Sequence, residues 1–181
     1  MRTFIIGGAR SGKSAYAERL AVASRKRIIY IATAHAGDDE MKNRIAHHRE
    51  RRDVDWTTVE ESMELGRAIE KYTGPDTLIL VDCLTVWLSN LLFSKARTYP
   101  EVGTIKPPAA VQRQRALLLT ALENAKGDVI LVSNEIGQGV IPQGAISRWF
   151  VDESGRLNQD VAAVCDRAVL IVAGLPLALK G

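Results

Sequence analysis

Residues Gly7-Gly8-Ala9-Arg10-Ser11-Gly12-Lys13-Ser14 constrain this chain more than any other stretch, because they match the pattern G-x-x-x-x-G-K-[ST]. The stretch follows the apolar run Thr3–Ile6 and precedes a helical pattern opening at Lys13, the strand–turn–helix setting the chemistry requires. The glycines let the backbone wrap closely around phosphate oxygens, and amides converge on those oxygens at a helix N-terminus. Lys13 is expected to bridge the outer phosphates and Ser14 Oγ to ligate Mg²⁺. All eight residues are therefore candidate nucleotide contacts.

Around this motif, short β-branched apolar runs alternate with helical stretches, the signature of an α/β fold with a mostly parallel central sheet flanked by helices. Strand candidates are Thr3–Ile6, Arg27–Ala32, Thr77–Val81, Val129–Val132 and Ala168–Val172, apolar throughout as in strands covered on both faces. Trp56–Val59 is a candidate edge strand. Helices are predicted over Lys13–Ala23, Asp38–Arg52, Glu61–Tyr72, Leu84–Ala96, Ala109–Ala125 and Ala145–Cys165, the last with a candidate break at Gly155. Arg97–Pro108, with Pro100, Gly103, Pro107 and Pro108, reads as a loop. With 181 residues and no internal repeat, one domain spanning 1–181 is expected.

Hydrophobic residues at 46% and charged residues at 25% exclude disordered, collagen-like and coiled-coil classes. The net charge of +3 suits phosphate-bearing ligands but is too slight to argue for nucleic acid. Cys83 and Cys165 are too few for a disulfide framework or a zinc site. No apolar stretch has the length of a signal peptide core or a membrane span, so a cytoplasmic enzyme is expected.

The acid that supports a metal is expected at the end of a buried strand next to the first one. Leu78-Ile79-Leu80-Val81-Asp82 supplies it; the alternative is that Asp82 caps the following helix. No N-K-x-D tetrapeptide is present, which argues against a switch GTPase. On the predicted helix Asp38–Arg52, Met41, Ile45, His48 and Arg52 share one stripe while His47 projects to the other side. Beside Arg44 and Arg49, His48 is biased toward its neutral, nucleophilic form; a structural histidine on a solvated basic helix is the competing reading. Ser133–Pro142 surrounds Glu135 with glycines at a strand end, either a substrate-contacting loop or an ordinary connection. Asp152–Gln159 interrupts a helical pattern and either contacts substrate, meets a neighbouring subunit or kinks the helix.

Taken together, these residues resemble the bifunctional adenosylcobinamide kinase / adenosylcobinamide-phosphate guanylyltransferases of cobalamin biosynthesis. The resemblance runs through Gly7–Ser14, Tyr30-Ile31-Ala32-Thr33-Ala34, Asp38–Met41, Ile45–Arg49, Trp56–Glu60, Asp82–Trp87 with Asn90, Asn134–Gly139 and Gly155–Gln159. It implies a single-domain RecA-like P-loop NTPase fold and two reactions. ATP or GTP phosphorylates adenosylcobinamide; then GMP passes from GTP, through a guanylyl-histidine, to adenosylcobinamide phosphate. The covalent histidine is implied to be His48, with Lys13 also catalytic. Further implied nucleotide contacts are Ala32, Thr33, Ala34, Arg49, Glu50, Arg51, Arg52, Glu60 and Asp82. Ser14 and Asp82 are the implied Mg²⁺ ligands. A homotrimer is implied in the same way. Two other readings stay open: a P-loop kinase of another small metabolite with His48 structural, and a RecA-like nucleic-acid ATPase.

Overall fold

The computed structural model describes residues 1–34, 56–94 and 97–181. The predicted helix Asp38–Arg52 lies outside the described residues. Seven strands, β1 (Arg2–Gly7), β2 (Arg27–Ala32), β3 (Thr57–Glu60), β4 (Thr77–Asp82), β5 (Asp128–Asn134), β6 (Arg167–Val172) and β7 (Leu175–Lys180), form one sheet in the order β3-β2-β4-β5-β1-β6-β7. Every pairing is parallel except β6 with β7. The described helices are α1 (Lys13–Ala23), α2 (Leu65–Tyr72), α3 (Leu84–Leu92), α4 (Ala109–Glu123) and α5 (Ala145–Val164).

Alternation along the central strands divides the core into two layers. Ile29, Ile31, Ile79, Val81, Val129 and Leu131 pack with α2, α3, α4 and α5 on one face. Ile28, Tyr30, Leu78, Leu80, Ile130 and Val132 pack with Ala17 and Ala21 of α1 on the other. Burial on both faces explains why these runs are apolar without alternation.

In one respect the arrangement corrects the sequence reading: β4, which ends in Asp82, is not next to β1. β5 lies between them, pairing Ile5 with Val132 on one side and Asp82 with Val132 on the other. The crossover from β1 through α1 to β2 skips two positions, and β4 and β5 return to fill them. Val129, Leu131 and Val132 are fully buried, which suits β5 to the middle of the sheet. Local patterning identifies a buried strand but says nothing about which neighbour it takes.

Other boundaries moved for identifiable reasons. α2 starts at Leu65 rather than Glu61, because Glu61 Oε1 accepts the N–H groups of Met63 and Glu64 at 2.8 Å each and closes a turn ahead of the helix. α3 ends at Leu92, whose carbonyl accepts the Tyr99 hydroxyl at 2.6 Å. α5 runs through Gly155 unbroken, anchored by buried Glu153, Ser154, Leu157 and Asn158 around it. Glu153 is held between Arg115 of α4 and Arg156, so this buried acid of the run 152–159 serves helix packing, while Asp152, Arg156 and Gln159 are exposed. β7 was not anticipated. It turns back on β6 through Ala173 (φ 51) and Gly174 (φ 80), both left-handed as a tight right-twisting hairpin requires. Ala-Gly is a weaker turn signal than Asn-Gly, and Pro176 on an edge strand masks the pattern.

Candidate active site

The phosphate-binding sequence forms the turn between β1 and α1 at the carboxyl edge of the sheet, where ligands bind in open α/β folds. Arg10 (φ 55) and Gly12 (φ 95) take left-handed conformations, and Gly12 stands immediately before the first residue of α1. A Cβ on Gly7 would lie 2.6 Å from both the Ile171 carbonyl and Ser11 Oγ, so only glycine fits there. The β6–β7 hairpin braces the loop from outside: Gly174 N–H donates to the Ser11 carbonyl at 2.8 Å. Ser11 Oγ is buried and has no hydrogen-bond partner among the described residues, the kind of orphan a bound ligand satisfies.

Lys13 Nζ donates to the Gly8 carbonyl at 3.1 Å, folded back over the loop it caps. Burial lowers its pKa below the ordinary lysine value, opposed by the nearby Cys83 and Asp82. A triphosphate would reverse that balance by stabilising the ammonium. Above the lowered pKa the empty protein holds a neutral amine, and binding must take up a proton. ATP affinity is therefore expected to fall as pH rises through that value and to level off below it. Titration calorimetry at about pH 7 and about pH 9.5 tests this; Lys13→Arg, whose guanidinium stays protonated, removes the dependence.

Asp82, Ala32 and Glu60 stand in one lateral row, since Ala32 pairs with Asp82 on β4 and with Glu60 on β3. Register partners share a face, which puts the two carboxylates roughly 10 Å apart on the α1 side of the sheet, flanking Ala32. Asp82 Oδ2 accepts the Tyr30 hydroxyl at 3.1 Å, and Trp56 tilts against Tyr30 at 6.3 Å between centroids. The residue preceding α3 is Cys83 and it makes no side-chain cap, so Asp82 does not cap that helix. Burial pushes the Cys83 thiol up to about 11, which keeps it protonated and inert near neutrality.

No group of three or more His, Cys, Asp or Glu among the described residues could hold a metal by itself. The donor set present, Asp82 with Ser14 after the loop lysine, is hard oxygen and incomplete. That suits Mg²⁺, which keeps waters and enters on nucleotide phosphates rather than in a protein cage.

Thr33 is fully buried, and its polar groups are committed to the chain beside Asp82. Its hydroxyl donates to the Cys83 carbonyl and accepts the Cys83 N–H, both at 2.8 Å, while its own N–H donates to the Asp82 carbonyl at 3.1 Å. Asn90 of α3 donates to the Thr33 carbonyl at 2.8 Å and to that of Ser62 at 3.2 Å. Thr33 thus holds the Asp82–Cys83 junction, and Asn90 holds Thr33. Ala34 follows, half-buried. These supporting roles of Thr33, Asn90 and Tyr30 were not legible in sequence, because each depends on a partner at least 28 residues away. His47, His48, Arg49, Glu50, Arg51 and Arg52 lie outside the described residues.

Phosphate loop, parallel sheet and strand-end acid define a P-loop nucleotide-binding α/β domain. Solved structures agree on the fold. An ATPase from the type III secretion system of pathogenic bacteria aligns with TM-score 0.56 at 13% identity, covering 98% of this chain and 56% of that one. The RadB recombinase aligns with TM-score 0.50 at 15% identity, covering 93% and 73%.

Sequence relatives are more specific. Residues 3–179 match the family described as cobinamide kinase / cobinamide phosphate guanyltransferase, and the chain belongs to that family. The bifunctional adenosylcobalamin biosynthesis protein CobP of Pseudomonas aeruginosa is 48% identical over 181 residues, covering 100% of this chain and 98% of that protein. The corresponding CobU proteins of Salmonella typhimurium and Escherichia coli K12 are 37% and 35% identical, each covering 99% of this chain and 100% of the relative.

Proposed function

We propose that the chain performs both family reactions in its one domain, 1–181, acting on adenosylcobinamide. In the first, the hydroxyl oxygen of the aminopropanol arm attacks the γ-phosphorus of ATP or GTP. The new O–P bond forms as the bond to the β-phosphate oxygen breaks, the hydroxyl proton leaves to solvent or a base, and the nucleoside diphosphate departs. In the second, neutral His48 attacks the α-phosphorus of GTP and pyrophosphate leaves. The resulting phosphoramidate is reactive enough to pass GMP to the phosphate oxygen of adenosylcobinamide phosphate, which frees the histidine.

The observation that carries this reading is the Gly7–Ser14 loop with Asp82 at the same sheet edge, in a chain matching the family over residues 3–179. The loop amides of Gly8 to Gly12 would cradle the phosphates, and Lys13 would stabilise charge building on the outer ones. Ser14 Oγ and Asp82 would hold Mg²⁺, which neutralises phosphate charge when bound. Ala32, Ala34 and Glu60 would face the nucleotide along the row from Asp82, with Thr33 setting the row from behind. Arg49, Glu50, Arg51 and Arg52 would contact the guanylyl donor beside His48.

A cytoplasmic homotrimer belongs to the same reading. No described helix is long and apolar enough to cross a membrane. On the edge strand β7, Leu175, Leu177 and Leu179 are 70%, 57% and 57% exposed, an apolar stripe suited to a subunit contact.

Incubation with α-³²P-GTP and Mg²⁺, followed by denaturing electrophoresis, tests the covalent step. An acid-labile, alkali-stable label is expected in the parent protein and in His47→Ala, and none in His48→Ala. Label lost only in His47→Ala moves the nucleophile by one residue. No label in any sample, with GTP binding intact, overturns the guanylyl-histidine and leaves a plain kinase.

A further inference from the structure

At the carboxyl edge of the sheet, β5 overshoots its neighbour. β4 ends at Asp82, opposite Val132, whereas β5 continues to Asn134. The backbone N–H and C=O of Asn134 on the β4 side therefore have no ladder partner. Side chains from two helices replace it: Thr85 Oγ1 of α3 accepts the Asn134 N–H at 2.8 Å, and Asn158 Nδ2 of α5 donates to the Asn134 carbonyl at 3.3 Å. Ser133 Oγ donates to Asn158 Oδ1 at 2.7 Å and lies 3.4 Å from Thr85 Oγ1, closing a polar ring in an otherwise apolar layer. On the other side, Asn134 pairs with Gly7, and the Glu135 N–H donates to the Gly7 carbonyl at 3.0 Å.

Buried polar rings are retained only when satisfied, and this one fixes a single residue beside the first glycine of the phosphate loop. The side chain of that residue is left out of the ring. Ile130 and Val132 belong to the α1 layer, so Asn134, two residues on, stands on the α1 face, as does Asp82. Its amide makes no hydrogen bond to another described residue. A half-buried carboxamide, its backbone held by Thr85 and Asn158 with the next residue tied to Gly7, and uncommitted at its tip, has the chemistry of a pre-positioned donor for an anion in the loop.

We propose that the Asn134 side-chain amide donates to the γ-phosphoryl group during the kinase step, a catalytic residue beyond the phosphate loop and Asp82. Thr85, Ser133 and Asn158 are its positioning residues. Asn134 N–H₂ stabilises the equatorial oxygen charge of the phosphoryl in flight and transfers no proton itself. The assignment rests on the kinase reading above.

Steady-state kinetics of cobinamide phosphorylation by the full chain tests it, with ATP varied and circular dichroism melting alongside. Asn134→Ala is expected to lower kcat about 100-fold with KM for ATP within about twofold, the mark of an interaction made in the transition state. Asn134→Asp keeps the shape while removing the donor, and is expected to lose at least as much. Thr85→Val, which removes the hydroxyl without changing side-chain volume, is expected to lower kcat about tenfold, and Thr85→Ser to restore it. A merely structural ring would shift melting temperature without this split and without rescue. Lys13→Ala serves as the reference. If it is inactive while Asn134→Ala and Asn134→Asp retain parental kcat, or raise only KM, the Asn134 assignment is overturned. If Lys13→Ala is itself fully active, the phosphate-loop reading fails first.

Discussion

Lys13→Ala is expected to lower kcat for cobinamide phosphorylation by about 10³-fold, the upper range for removing one pre-positioned electrostatic group from a water-poor site. The reason lies in the geometry of the loop itself. Lys13 is buried enough for its charge to be disfavoured, and it rests on the Gly8 carbonyl at 3.1 Å. A charge held at a disadvantage by burial gains most when phosphate arrives, and gains further as negative charge gathers on the transferring oxygens. Lys13→Arg keeps a cation but cannot match a point charge packed against Gly8, so partial recovery of nucleotide binding without recovery of kcat is expected. Alanine at this position with near-parental kcat would remove Lys13 from the chemistry. Because the loop is braced by the Gly174–Ser11 contact and by Gly7 against Ile171, the variant should fold normally, and its melting curve checks that.

Trp87→Ala carries the largest expected effect on stability. Trp87 is fully buried in the layer shared by α2, α3 and α4, and its Nε1 donates to the Met63 carbonyl at 3.0 Å. Truncation leaves a cavity and an orphaned carbonyl, for a loss of about 3–5 kcal/mol. For a chain of this size that corresponds to a fall of roughly 6–20 °C in melting temperature. Against a total stability of about 5–15 kcal/mol, such a loss brings partial unfolding at growth temperature within reach. Trp87→Phe fills most of the space but cannot bond Met63, and should sit between the two. Trp87 is one turn before Asn90 on α3, so the loss should also loosen the hold on Thr33 and Ser62. A melting temperature unchanged in Trp87→Ala would mean that this layer is not the stability core.

How much of this was legible beforehand differs between the two halves of the site. The phosphate loop was, because its pattern is local: Gly7, Gly12 and Lys13 fall within eight positions, although Gly7 is also forced by the distant Ile171 carbonyl. Asp82 was legible as a carboxylate closing an apolar run, although its alternative, a helix cap, fell only when Cys83 was seen before α3. Thr33 was expected on the nucleotide through resemblance; its hydroxyl proves to be occupied by Cys83, 50 residues away. Nothing in the sequence around Thr33 pairs it with Cys83, since a side chain's partner is chosen by the packing of distant strands.

By itself the sequence determined most of the described elements, with β7 the exception. Runs such as Ile28–Ile31 and Leu78–Val81 must be strands buried on both faces, and the glycine-rich turn before Lys13 must open a helix. Tertiary structure alone decided the order of the strands. It inserted β5 between the phosphate loop and Asp82, let β5 outrun β4 by two residues, and so exposed the edge that Thr85 and Asn158 close around Asn134. The physical reason is one of range. Backbone conformation and hydrophobic period are set within a few residues, whereas strand neighbours are set by crossover geometry and by which runs bury the most apolar surface at the centre.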